Sequence, residues 1–110
     1  IIQAVENQSV QKVRSMLNRG VDPNFVIART QQTPLHLAVE NKGGSDAACE
    51  KILGVLLFFG ANPNAQDHDG YSSLHLACKF ENAVAVELLL QAGADVNIVD
   101  SVYETPLMTA

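Results

Sequence analysis

Apolar residues in this chain recur in short bursts, each closed by a glycine and followed by polar turn residues. The stretch Asn64 to Asn97, NAQDHDGYSSLHLACKFENAVAVELLLQAGADVN, holds one full cycle. Asp67-His68-Asp69-Gly70 is turn chemistry, because aspartate side chains bond nearby backbone and glycine accepts positive φ. Ser72 is placed to cap a short helix whose inward residues are Leu74, Ala77 and Cys78. Ala85, Val86, Leu89 and Leu90 then repeat at the spacing of one helical face. Gly93 stands where a helix ends in the left-handed conformation. A helix pair of this kind buries one face only, so the pattern predicts further copies stacked against it.

The copies are present. Thr33-Pro34-Leu35-His36-Leu37-Ala38 returns 39 positions later as Ser72-Ser73-Leu74-His75-Leu76-Ala77, and Thr105-Pro106-Leu107-Met108 opens another 33 positions on. Gly20, Gly60 and Gly93 are separated by 40 and 33 positions, and the phrases after them (GVDPN, GANPN, GADVN) are variants of one another. A period of about 33 with a T-P-L-H-x-A phrase marks ankyrin repeats. The chain therefore resembles the ankyrin-repeat family over nearly its whole length. The resemblance implies an all-α solenoid of stacked helix-turn-helix pairs with β-hairpin-like finger loops. We divide it into repeats at about 1–31, 32–70 and 71–103, with a partial repeat at 104–110 and an insertion within 41–48. The first repeat lacks its Thr-Pro opening and the last runs for about one turn. That reads as an excerpt from a longer array or multidomain protein.

Departures from the repeat carry most of the remaining information. From Asn24 to Thr33 the first finger is one residue longer than its siblings, lacks the Asp-x-x-Gly turn and carries Phe25, Val26 and Ile27. A bulge is expected, with these apolar residues packed under the first helices or, alternatively, facing a partner. Ala38 to Gly60 is six residues longer than the sibling intervals. The excess falls within Asn41–Ala48, and Ser45 or Asp46 is expected to cap a lengthened second helix. Insertions in repeat proteins map to loops, which either tolerate them or use them for binding. Phe58 and Phe59 replace Gln91-Ala92 and Asn18-Arg19 of the siblings. Packing under the insertion is the simpler account of the pair, and an exposed docking patch is the other. At the reversal of the third repeat Glu81-Asn82 stands where the family usually has Gly-His, and Asn82 is expected to take the left-handed turn. Tyr103 occupies the place of Gly70, which predicts a different turn in the last finger.

Charge and composition narrow the function. A net charge of −5, with seven scattered basic residues, does not suit a phosphate-backbone binder. The apolar run Ile52–Ala61 is too short to cross a bilayer, and no signal peptide is visible. Two cysteines make no disulfide framework: Cys78 reads as a small core residue and Cys49 as partly exposed ahead of its helix. Reduced thiols point to a cytoplasmic or nuclear protein. The sequence has no phosphate-binding Gly-rich loop, no H-E-x-x-H and no C-x-x-C. His36 and His75 lie one repeat apart. The resemblance implies that each bonds its cap hydroxyl and neighbouring backbone, which leaves no metal or catalytic set, and no cofactor is expected.

A non-catalytic protein–protein interaction module remains. The resemblance places its binding surface on the concave side, made of finger tips and first helices. Carried onto this chain, that face includes Arg29, Gln31 and Gln32, then His68, Asp69 and Tyr71, then Ser101, Val102, Tyr103 and Glu104. Glu40, Asn41, Lys42, Lys79 and Phe80 join it from the first helices. Tyr71, Phe80 and Tyr103 are the expected anchors, since aromatics dominate desolvated contacts. For Phe80, shielding by its own turn is an equal alternative. Leu89, Asp95, Val96 and Asn97 resemble the pattern around hydroxylated ankyrin asparagines, which makes Asn97 a candidate for that modification. A different class of function is a structural or regulatory segment that contacts the rest of a larger enzyme or scaffold, through Phe58, Phe59 and the insertion.

Overall fold

In the computed structural model of the chain, residues 1–40 and 46–109 are described. The helices are α1 (Ile2–Glu6), α2 (Val10–Asn18), α3 (Pro34–Glu40), α4 (Asp46–Phe58), α5 (Ser73–Lys79), α6 (Ala83–Gln91) and α7 (Pro106–Thr109). They stack in two rows: α1, α3, α5 and α7 pack side by side, α2, α4 and α6 form the second row, and each pair closes on itself. The described part measures 37 × 27 × 25 Å.

Capping explains where the helices start and stop. Ser9, Ser72 and Asn82 accept backbone N–H bonds at the starts of α2, α5 and α6. Pro34 opens α3, where its missing N–H costs nothing. Each second helix ends in a paired 6→1 and 5→2 backbone closure. At the end of α4 the Ala61 N–H reaches the Leu56 carbonyl (3.0 Å) and the Gly60 N–H the Leu57 carbonyl (3.1 Å). Gly60 supplies the positive φ of 94° that this closure needs. Two first helices close in the same way without glycine: Gln8 after α1 and Glu81 after α5 take φ of 56° and 54°. This corrects one expectation. Glu81, not Asn82, adopts the left-handed turn, and Asn82 is free to cap α6 because its φ is −89°. The same residue ties two repeats, its side-chain amide lying 3.4 Å from the Val39 carbonyl.

The core is one seam between the two rows, and α4 is its centre. Cys49, Ile52, Leu53, Val55 and Leu56 are all buried there, because α4 meets α3 and both neighbouring second helices. At 13 residues α4 is longer than the nine of α2 and α6, as the insertion led us to expect. Asp46 is its first helical residue rather than its cap, and Ser45, the other candidate, lies outside the described residues. Cys49 lies inside the helix and is buried, contrary to the sequence reading, with its thiol 3.4 Å from the Ala38 carbonyl. Cys78 packs partly buried against the core, and both cysteines are free. Leu90, expected inside, is exposed, whereas Leu76 is buried.

Phe25 and Val26 do not pack under the first helices; both are exposed on the first finger. The extra residue there sits in the turn itself, between Ile27 and Gln31, where the Gln31 N–H reaches the Ile27 carbonyl. Ile27 stands in the place of Asp67 but has no side-chain acceptor to organise that turn.

Candidate functional site

The second and third fingers are each sealed to the preceding first helix by a buried histidine. The backbone N–H of Thr33 can only donate, and it lies 3.1 Å from His36 Nδ1. Nδ1 is therefore the unprotonated nitrogen, and Nε2–H donates to the Tyr71 carbonyl at 2.8 Å, in the following finger. His75 repeats the arrangement with Ser72 and the Glu104 carbonyl at 2.9 Å. Burial pushes the His36 imidazole below its usual value of 6.5, against opposing contributions from the Tyr71 carbonyl, Asp67 and Glu40. Among the described residues no cluster of His, Cys, Asp and Glu could hold a metal ion. The histidines do what the resemblance implied: they fasten repeats together.

The fingers are also bonded to one another. The His68 N–H donates to the Thr30 carbonyl (2.9 Å), and the Ser101 N–H to the Asp69 carbonyl (3.0 Å). At their bases Asn24 accepts from the Asn62 N–H, and Asn64 from the Asp95 N–H, both at 2.7 Å. Tip side chains are thus held in a fixed order along the stack. Arg29, Gln32, His68 and Asp69 border an open groove of about 270 Å³ between the first two fingers. Gln32 donates from its amide to Glu40 at 2.7 Å. The Lys79 ammonium lies 5.4 Å from the Tyr71 ring and 5.9 Å from the Phe80 ring, a cation–π bracket on α5.

The remaining candidates divide. Phe80 is 47% exposed and Tyr103 81% exposed, whereas Tyr71 is half-buried against the core beside His75. Val102 is exposed; Glu104 is half-buried and its carbonyl is committed to His75. Asn97 is exposed. Lys42 and Asn41 lie outside the described residues. Tyr103 corrects the turn expected of it: its φ is +64°, and the third finger closes like the second. The Tyr103 N–H reaches Asp100 as Gly70 reaches Asp67. Asp100 Oδ1 accepts from the backbone of Val102 and Glu104, as Asp67 does from Asp69 and Tyr71.

Phe58 and Phe59 lie away from this face. They stand at the C-terminal end of α4 and line a groove between α2 and α4 with Arg14, Lys51 and Gly54. The insertion under which the pair was expected to pack falls largely outside the described residues. The sequence reading missed that groove, although a helical glycine aligned with Arg14 and Glu87 was a signal for it.

A family model described as ankyrin repeats (3 copies) matches residues 45–110. The chain belongs to the ankyrin-repeat family. Among curated relatives, SH3 and multiple ankyrin repeat domains protein 2 of Homo sapiens is 37% identical over 103 residues, covering 94% of this chain and 5% of that protein. The B-cell lymphoma 3 protein homolog of Mus musculus is 35% identical over 107 residues, covering 97% of this chain and 22% of the relative. The crystal structure of the ankyrin repeat domain of Bcl-3, described as a unique member of the IkappaB protein family, superposes with a TM-score of 0.87 at 34% identity. That match covers 97% of this chain and 44% of the other. This ankyrin-repeat chain thus spans less than half of each. Ankyrin repeats are non-catalytic protein–protein interaction modules in general. No helix among the described residues is long and apolar enough to cross a membrane.

Proposed function

We propose that this chain binds a protein or peptide partner on the face made by its finger tips and first helices. The observation that carries the reading is the exposure of aromatic and charged side chains on a backbone that is already rigidly bonded. Lys79 on α5, Phe80 just past its end, Tyr103 on the third finger and the Arg29–Asp69 groove are free of the core, while the cap histidines and inter-finger bonds fix their spacing. A preorganised surface loses little entropy on binding. Free Cys49 and Cys78 fit a cytoplasmic or nuclear setting.

The test is affinity capture with the chain, comparing wild type with Phe80→Ala. Loss of roughly 1–3 kcal/mol of partner binding with an unchanged melt is expected. A melt lowered by many degrees with capture intact would place Phe80 in the fold rather than in the interface. Tyr71 is unsuited to the same experiment, because its ring also packs on the core.

A further inference from the structure

The groove between α2 and α4 has a different chemistry from the finger face and lies on the second-helix row. Its volume is about 520 Å³. Val55 forms part of its floor, Phe58 and Phe59 its upper wall, and Arg14 and Lys51 its charged rim. Three features set it apart from an ordinary seam between repeats.

Gly54 creates much of the space. Its siblings are Arg14 in α2 and Glu87 in α6, both long side chains. A Cβ built at Gly54 meets nothing within 4 Å, so packing does not demand glycine here. Glycine inside a helix is less favourable than alanine by roughly 1 kcal/mol, which leaves the open lane itself as its consequence. Second, Phe58 is 82% exposed and stands edge-on to Phe59, with ring centroids 5.4 Å apart and planes at 79°. Its siblings are the polar Asn18 and Gln91. Third, the charged residues of the lining are Arg14 and Lys51, with no carboxylate among them. Neither forms an ion pair among the described residues. In a chain of net charge −5, two cations without an ion-pair partner among the described residues frame a largely apolar groove.

We infer that the α2–α4 groove docks a short acidic peptide segment, an apolar side chain entering over Gly54 against the Phe58–Phe59 pair and flanking carboxylates meeting Arg14 and Lys51. Lys51 and Phe58 are seven residues apart on one helix, about 10 Å along its axis. That distance suits two turns of helix or a few extended residues. Charge complementarity selects an acidic sequence and sets the register, while the aromatic pair supplies the desolvated contact. This site is independent of the finger face, so either can fail alone.

A fluorescein-labelled peptide of about twelve residues, three helical turns, with leucine and phenylalanine anchors between glutamates, is titrated against the chain by anisotropy. Binding is expected to weaken at least about tenfold in Gly54→Gln, which fills the lane, and in Arg14→Glu/Lys51→Glu. It should also fall with added salt. A lysine-for-glutamate version of the peptide should not bind. The melt of Gly54→Gln should stay level or rise, since glutamine is the better helix former. The inference is overturned by no binding of the acidic peptide, by equal binding to the variants, or by equal binding of the basic peptide. It is overturned too if phosphatidylserine vesicles are bound and the peptide is not. Sedimentation as a dimer that Gly54→Gln dissociates would assign the groove to a second copy instead.

Discussion

The second and third fingers share one backbone turn but not one reason for it. Asp67 and Asp100 each accept two backbone N–H bonds, and each finger hands a carbonyl to the preceding helix's histidine. The closing residue has positive φ in both, yet it is Gly70 in one and Tyr103 in the other. The turn itself therefore tolerates a side chain. What differs is the neighbour. A Cβ on Gly70 would lie 2.8 Å from the Ser101 nitrogen and 2.9 Å from the Asp100 Cα, both backbone atoms of the next finger. Tyr103 is largely exposed, with no finger of the described residues against it. Glycine at this position serves finger-to-finger spacing more than turn geometry.

The sharpest way to break the comparison is Gly70→Ala. Backbone on the far side cannot swing away like a side-chain tip, so a loss of about 2–4 kcal/mol is expected in a urea melt. A loss below about 1 kcal/mol would mean that the fingers slide apart freely.

Acid should loosen the seal between α3 and the second finger, where the second and third repeats meet. His36 is neutral in the fold and its imidazole is held below 6.5, so the unfolded chain takes up that proton first. Stability from this group is complete above pH 6.5 and is lost as pH falls toward the folded value, by at most about 1.4 kcal/mol per pH unit for one proton. Urea midpoints compared between pH 7.5 and 5.5 should shift less in His36→Asn than in wild type. Equal shifts would assign the acid sensitivity to the carboxylates.

The smallest effect sharpens the comparison from the other side. Tyr103→Asn keeps the left-handed turn with a residue that tolerates it, and should raise stability by about 0.5–1 kcal/mol. If stability drops instead, the tyrosine ring contributes a contact that its exposure conceals.

Much of this was legible in the chain. The glycine stops, the Thr/Ser-x-x-His caps and the register of Leu74, Ala77, Ala85 and Leu89 follow from local hydrogen bonding and from a period that the seam must satisfy. The sequence alone therefore determined the helix pairs and their order, and its resemblance to ankyrin repeats implied the role of His36 and His75. Only tertiary packing decided where the exceptions point. Phe25 and Val26 are exposed on the first finger, and Cys49 is inside because α4 is flanked on three sides. Phe58 and Gly54 form one groove because α2 lies beside α4, a contact that the linear pattern does not encode. Local rules act within a few residues and leave a mark on the string of letters. The meeting of two helices from different repeats is set by how the whole seam closes.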